Sequence, residues 1–497
     1  MSADRVSSKI SILFRNWISM TGAMLGGVAF AIGAVLLVVD MIDENQHPYL
    51  GLLVYGIVPL LISGSLFLVV AGMARTFWIR RRKGYEVPQL PFDLRDRVTL
   101  RRLFFVSLVF AIFALVSVVA TYRTYHFTES VEFCGKTCHK VMQPEFVTFQ
   151  NSPHSRMICT ACHIGPGAEW FVRAKLSGLY QVYSTIFNKY RRPIESPVLN
   201  LRPAKETCLT CHWPQKFFGA VLKSWTTYLP DEKNSPWTIK MLLNMGGGDP
   251  AHGPIHGIHW HMEGVNTVEY IAADRKRSII PWIRVTDQKG NVTVYQTKNQ
   301  DQRLSAAQVE TMSRRGMDCL DCHNRPSHRL LSPYQALDVA LSEGKIDRSI
   351  PGIKQTAAKL LVGKYDTAAQ AQAAIDAGLR EKYPQHPKLG ETIAEVKAIY
   401  GRNFFPEMKA RWDEYPNLLG HKIVAGCFRC HDGQHVNEAG APIRKDCNIC
   451  HTILAQGPGL EPDLQGMTVN GAEFKHPEDV EDAWKTERCD TCHTGAP

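Results

Sequence analysis

No cysteine in this 497-residue chain stands outside a Cys-x-x-Cys-His-type box. No nucleotide fingerprint, flavin motif or Ser-His-Asp arrangement is apparent. The formal charge is +10, with 57 Lys and Arg against 47 Asp and Glu. That excess comes with no nucleic-acid motif, and part of it sits in one short loop, so nucleic acid is not an expected partner. Long uncharged apolar runs are absent after residue 125. The remainder is polar, basic and rich in Gly, Pro and His.

What is present is a repeated box. Seven account for all 14 cysteines: Cys134–Cys138–His139, Cys159–Cys162–His163, Cys208–Cys211–His212, Cys319–Cys322–His323, Cys427–Cys430–His431, Cys447–Cys450–His451 and Cys489–Cys492–His493. Six have two residues between the cysteines; the first has three, Gly135, Lys136 and Thr137. Two thiols at this separation can form thioethers to the two vinyl groups of a haem, and the adjacent histidine then reaches the iron. Zinc ribbons need such pairs to come together in fours and require no histidine after each. A disulfide framework leaves seven trailing histidines to chance. The boxes predict seven covalently bound haem c groups, which also stand in for much of a conventional apolar core.

Three apolar runs, about 17–39, 49–74 and 103–122, are long enough to cross a bilayer. Pro59 and Gly64 interrupt the second and could kink it, and Gly22, Gly26 and Gly27 give the first a small-residue face for close helix packing. The N-terminus carries Arg5, Lys9 and Arg15. The loop after the first run is acidic (Asp40, Asp43, Glu44), and the next is strongly basic from Arg75 to Arg102. By the positive-inside rule the N-terminus and basic loop are cytoplasmic, and everything from about Thr124 is periplasmic, where haem is attached in bacteria. Asp40-Met-Ile-Asp-Glu follows the first run instead of a small-residue cleavage site, so that run reads as a retained anchor.

Beyond the anchor, residues 213–318 separate the third and fourth boxes. They hold His252, His256, His259 and His261, then a β-hairpin predicted from Ile280–Val285, a turn at Gln288–Asn291 and Val292–Tyr295. Residues 329–418 are Ala/Lys/Glu-rich and read as amphipathic helices connecting two haem groups. The expected fold is mainly α: three transmembrane helices (1–125), then a periplasmic multihaem c domain with little regular structure and a small β-hairpin. That domain divides into a tetrahaem unit (126–328) with its insertion, the connector (329–418) and a trihaem module (419–497).

The stretch from Phe133 to Trp213 resembles the NapC/NirT family of membrane-anchored quinol dehydrogenases. The resemblance is carried by Ser152-Pro-His-Ser-Arg and by Cys159-Thr-Ala-Cys-His-Ile-Gly-Pro-Gly-Ala-Glu-Trp-Phe-Val-Arg-Ala-Lys-Leu-Ser-Gly-Leu-Tyr-Gln-Val-Tyr183. The family core has one anchor helix and four haems, so the resemblance covers the third apolar run, residues 126–212 and the box at 319–328. With three runs and seven boxes, the layout is most similar to inner-membrane heptahaem quinone oxidoreductases of metal-reducing bacteria.

The resemblance implies His154 as a ligand of the third haem and His328 as a ligand of the second. It also implies a methionine ligand for the first. Here the box has an extra residue, and the methionine falls three residues after His139, at Met142, instead of two, so Met142 as ligand, Met142 as packing residue and an open iron position all stand. Twelve of the 19 histidines lie outside the boxes, enough for most haems to have two. His421 and His435 flank the fifth box, His476 precedes the seventh, and one or two of His252, His256, His259 and His261, with His256 and His259 foremost, are expected at the fourth haem. His386 reads as a surface residue, and His47 as an exposed loop residue or a proton acceptor.

In the resembling family a lysine after the second box contacts the quinol hydroxyl, and Lys175 matches it. Glu169 could take a proton, since a low-dielectric surface favours the neutral carboxyl. The same segment also reads as an interfacial helix with Trp170, Phe171, Leu176 and Tyr180 down and Arg173 and Lys175 snorkelling. The expected function is inner-membrane (mena)quinol oxidation, with electrons passed through seven haems to periplasmic c-type cytochromes or a membrane redox complex, as in anaerobic or extracellular electron transfer. Membrane lipid and the quinone pool are the other partners. Two alternatives stand: a terminal reductase of a small nitrogen compound, and a passive relay subunit.

Overall fold

The computed structural model describes residues 13–42, 57–85, 97–137, 139–165, 167–198, 202–213, 219–246, 257–262, 266–461 and 467–497. It forms two compact units, Met1–His139 and Lys140–Pro497. The N-terminal unit holds three long helices: α1 (Trp17–Ile42), α2 (Val58–Arg82) and α3 (Arg97–Glu129). Asn16 caps α1, its side-chain oxygen accepting from Ser19 N at 2.9 Å. α1 and α2 pack through small residues. A Cβ at Gly22 would stand 2.7 Å from Ser65 O, and one at Gly26 2.6 Å from Ser65 Oγ. Ser19 Oγ also donates to Val69 O at 2.9 Å. Gly27, expected on that face, meets nothing within 4 Å, whereas Gly33 closes on Val58.

Among the described residues two helices are long and apolar enough to cross a membrane, Trp17–Leu36 and Val58–Arg82. The expectation of three is corrected to this extent. The run at 103–122 lies inside α3, an unbroken 33-residue helix that opens on Arg97, Arg101 and Arg102 and ends near Arg123 and Glu129, and many side chains in its middle lie outside the described residues. Residues 49–56 of the second run lie outside the described residues. Pro59 sits in the first turn of α2, where its missing N–H costs no bond within that helix.

The second unit begins in α4 (His139–Gln150), followed by α5 (Ala168–Ile186). Eight strands then form two antiparallel sheets. The first is β1–β2–β8, from Ala220–Tyr228, Pro236–Asn244 and His451–Pro458. The second runs β6–β3–β4–β5–β7, from Arg315–Gly316, Thr267–Ile271, Trp282–Thr286, Val292–Thr297 and His435–Val436. The expected hairpin is β4–β5, with Val285 opposite Thr293. Its turn is fastened by the Asp287 carboxylate, which accepts from the backbone of Lys289 and Asn291, each at 2.8 Å. The remaining strands correct the picture of a domain with little regular structure.

Residues 329–418 are more than a connector. Helices α6 (Pro333–Ser342), α7 (Ile353–Leu361), α8 (Ala368–Lys382) and α9 (Leu389–Asn403) enclose the larger apolar cluster of the described residues. Ser332 and Thr367 close capping boxes with Gln335 and Gln370. Leu337, Ile353, Ile375, Leu379 and Val396 are entirely buried. The helices are tied to β1 by a buried ion pair: Lys354 Nζ meets Asp338 at 2.6 Å and donates to Tyr228 O, while Tyr228 N donates to Asp338 at 2.9 Å. Burial pushes the Asp338 carboxyl up and the Lys354 amine down, each opposed by the other's charge. Removing one partner strands the other in a dry site. Asp338→Asn is expected to cost about 3–5 kcal/mol, measured as a fall in the denaturant midpoint of the second unit, whereas Lys345→Ala, on the surface, should stay within about 0.5 kcal/mol.

Candidate haem-binding sites

The boxes from the second to the seventh fold as single helical turns. Cysteines at i and i+3 and a histidine at i+4 fall on one face of such a turn. The histidine amide donates back to the first cysteine's carbonyl at 2.8 Å (His212), 2.8 Å (His323), 3.0 Å (His431) and 2.9 Å (His493). In the first box the extra residue is taken up by a π-helical turn, Phe133–Thr137. Cys138 lies outside the described residues, as do His47, His252 and His256, the last a proposed ligand. Met142 is half-buried on α4, three residues after His139.

Six box histidines each face a second imidazole. The ring centroids are 6.1 Å apart for His163 and His328, 6.1 Å for His212 and His154, and 6.4 Å for His323 and His259. They are 5.9 Å apart for His431 and His261, 6.1 Å for His451 and His421, and 5.9 Å for His493 and His476. A metal held by one nitrogen of each ring at about 2.0 Å, with each nitrogen about 1.1 Å from its ring centre, sets centroids about 6.2 Å apart. All six pairs therefore fit an iron between them.

The outer nitrogens agree. Nδ1 contacts a backbone carbonyl in His328 (Glu145, 2.9 Å), His259 (Met245, 3.0 Å), His261 (Ile258, 2.9 Å), His431 (Arg444, 2.6 Å) and His476 (Glu478, 2.8 Å). Such a bond fixes the tautomer that keeps the lone pair on Nε2, as metal-binding histidines require. Nδ1 of His154 and of His451 is buried with no partner among the described residues. Burial first of all, with the facing imidazole adding to it, holds His163, His261, His323 and His451 below the usual histidine range, in the neutral form that ligates.

From the second to the seventh, neighbouring boxes adjoin in chain order. The Cys162 thiol is pushed up by burial and then by Cys208, Cys159 and Cys211. Cys208 and Cys319 share a hydrogen bond. Cys427 raises both Cys322 and Cys450, behind burial, and Cys447 raises Cys489. Between the fourth and fifth boxes the joint is a buried polar knot. The Asp321 carboxylate, 1% exposed, accepts from Tyr270 Oη (2.6 Å), Arg277 (2.8 Å) and Arg315 (3.0 Å). Arg429, inside the fifth box, donates to Asp321 O at 2.5 Å and Arg277 O at 2.8 Å.

His435 is a correction. Its Nδ1 faces Asp432 Oδ1 at 2.9 Å and its Nε2 faces Ile280 O at 2.6 Å, so both nitrogens point at acceptors and neither at a metal. His421, which flanks the fifth box in sequence, faces the sixth. His261, expected at the fourth if anywhere, faces the fifth. Only a paired reading of His259 and His261 could have hinted at this, two donors on one turn serving two sites. His386 is a surface residue whose Nδ1 accepts from Lys388 N.

On α5 the exposed Val172, Leu176, Leu179, Tyr183 and Ile186 recur at helical spacing and form an outward apolar stripe. Lys175 lies along one edge, its Nζ 4.9 Å from the Phe171 ring centre. Glu169, ion-paired with Arg173 at 2.7 Å, lies along the other. The two are six positions and about 120° apart round the axis, so they bracket the stripe and do not meet. Trp170 and Phe171, expected on the stripe, are half-buried elsewhere on the helix.

Residues 97–195 match the N-terminal region of the NapC/NirT cytochrome c family. The chain is also 42% identical over 492 residues to the cytochrome c-type protein ImcH of Geobacter sulfurreducens, an alignment covering 97% of this chain and 95% of that protein. This chain belongs to the NapC/NirT cytochrome c family. No solved structure matches it. As a multihaem c-type cytochrome of the NapC/NirT family it carries covalently bound haem c and transfers electrons, and its apolar N-terminal helices fit the family's membrane anchoring.

The two nitrogens of His435 face a carboxylate and a carbonyl. Burial disfavours its charge, but the Asp432 bond and charge and the Ile280 carbonyl outweigh burial and raise its pKa. Its stabilising contribution is therefore complete below the unfolded value of about 6.5 and is lost as pH rises through the raised folded value. His435→Ala is expected to destabilise by about 1–3 kcal/mol, more at about pH 5 than at about pH 8, with every low-spin haem signal in electron paramagnetic resonance retained. Conversion of one low-spin haem per chain to a high-spin signal would restore His435 as a ligand.

Proposed function

We propose that this chain is an inner-membrane (mena)quinol dehydrogenase that passes electrons through seven c-type haems to periplasmic redox partners. The observation that carries the reading is the run of six facing imidazole pairs whose boxes adjoin in chain order, which makes a continuous series of sites instead of scattered ones. His154 and His212 would hold one group, His163 and His328 a second, His259 and His323 a third, His261 and His431 a fourth, His421 and His451 a fifth, and His476 and His493 a sixth. The thiols of each box supply the covalent attachment. Haem contributes one-electron redox chemistry, and paired histidine ligation keeps the iron low-spin and low in potential.

The quinol end is assigned to α5. A quinol is a flat apolar ring with a hydroxyl at each end, and the outward stripe offers an apolar strip bracketed by a cation and a carboxylate. Lys175 is placed to orient one hydroxyl, and Glu169 to accept a proton. The stripe also suits a lipid surface, with Lys175 and Arg173 reaching to headgroups. Charge distribution supports a cytoplasmic N-terminus and a periplasmic haem domain: Arg80, Arg81 and Arg82 close α2, and acidic residues follow α1. The partners suited to such a series are periplasmic c-type cytochromes or a membrane redox complex.

A terminal reductase needs an iron with an open position. Facing imidazoles at six boxes leave only the first for that role, with Met142 as its nearest candidate ligand. Anaerobic mixing of the oxidised protein with a menaquinol analogue tests the proposal. Fast reduction of several haems, seen at the α-band and blocked by a quinone-site inhibitor, is expected, and Lys175→Ala should slow it at least about tenfold, a loss of about 1.4 kcal/mol in transition-state binding. Ready reduction by dithionite with none by quinol would point to the relay reading.

A further inference from the structure

His259 and His261 lie two residues apart on one short turn, Ile258–Met262, within the insertion between the third and fourth boxes. At three residues per turn, positions i and i+2 project about 120° apart, so the two rings leave the turn in different directions. His259 faces His323 of the fourth box with ring planes 3° apart. His261 faces His431 of the fifth with planes 85° apart. The other described histidines that flank the fifth box are accounted for: His435 has both nitrogens on acceptors, and His421 faces His451.

The two boxes are also fixed to each other. Arg429 spans from the fifth box to the backbone of Asp321 in the fourth, and the Asp321 carboxylate gathers Tyr270, Arg277 and Arg315. The five-stranded sheet has β6, three residues before Cys319, at one edge and β7, four residues after His431, at the other. The turn reaches this frame through Trp260, which packs on the cluster of Val268, Tyr270, Ile280 and Ile283. Its two ligating rings are thus held over two boxes that cannot shift independently.

We infer that the turn Ile258–Met262 is a two-headed ligand, His259 completing the fourth haem and His261 the fifth, and that it makes the insertion the rigid junction between the tetrahaem unit and the C-terminal three haems. The inference rests on the seven-haem reading. It assigns His261, a residue of the tetrahaem unit's insertion, to a haem of the C-terminal module. The near-perpendicular planes at the fifth haem, shared only with the 78° of His154 and His212 among the six pairs, place its spectrum in a class distinct from that of the fourth. Crossed imidazoles leave the iron d-orbitals nearly degenerate and give a strongly anisotropic low-spin signal, whereas parallel imidazoles give an ordinary rhombic one.

The experiment is electron paramagnetic resonance on the oxidised full-length protein in detergent, with haem content measured on each sample. The variants are His261→Ala and His261→Met. Wild type should hold seven haems per chain. His261→Ala should convert one anisotropic low-spin haem per chain to a high-spin signal, and His261→Met, which retains an iron ligand, should convert the same haem to a low-spin His/Met centre that titrates at higher potential. In both, the rhombic signal of the parallel pairs should remain. His259→Met should do the reverse, removing rhombic intensity and sparing the anisotropic class. An unchanged spectrum in both His261 variants at full haem content overturns the two-headed assignment. Fewer than seven haems in wild type overturns the seven-haem reading instead, and is read before any variant.

Discussion

A planar macrocycle with iron at its centre needs donors from both faces, and this constrains the rest of the periplasmic chain. One donor is local, because the box folds as a single turn that presents two thiols and a histidine together. The other has to arrive from elsewhere, at a centroid separation near 6 Å and from the opposite side. In this chain the second donors come from far along the sequence: His328 to the second box, His261 to the fifth. Each such pair ties two distant segments, so ligation acts as a set of long-range cross-links that close loops as the sites fill. Metal binding free energy is then also folding free energy.

Polar chemistry takes over this work at the Asp321 knot. A carboxylate 1% exposed would be costly alone. It is offset by two guanidinium groups, the Tyr270 hydroxyl and the backbone amide of Asp318 at 2.6 Å. Burial and the Asp321 charge together push Tyr270 well above its ordinary range, so the phenol stays a donor. A network satisfied at every member is rigid, and this one lies between the fourth and fifth boxes. Apolar packing does the equivalent work further along, where α6 to α9 bury Leu337, Ile375 and Val396 completely.

Sequence made the boxes readable because they are local: the spacing that suits two vinyl groups is written in five residues. His154 and His328 were reachable because they sit beside their boxes in a long family-like stretch, and both stand opposite the expected partners. The fifth and sixth second donors were not reachable, since nothing in the residues around His261 or His421 encodes which distant turn will face them. His435 misled by proximity: its neighbour Asp432 captures it for a structural bond. The helices of 329–418 were legible from their Ala-rich periodicity, but periodicity does not say whether a face meets another helix, so a core read as a connector. The β1–β2 and β2–β8 pairings escaped because these strands expose much of both faces and lack clean alternation. Among the membrane helices, Gly22 and Gly26 were found at the α1–α2 contact, while Gly27 points away because it falls 100° round the helix from Gly26.

A wire and a catalyst place opposite demands on an iron site. Transfer favours a six-coordinate iron whose geometry hardly changes with redox state, and substrate chemistry needs a position left open. Two imidazoles with Nδ1 tied to carbonyls, as in His259 and His261, satisfy the first demand and leave nothing for the second. The first box differs at the level of covalent geometry, since its extra residue is taken up in a π-helical turn that follows α3. On the proposed reading, bond-making other than electron transfer falls to the first box and to the stripe of α5. Those are the two elements whose sequence departs from the box-and-partner arrangement that the other six share.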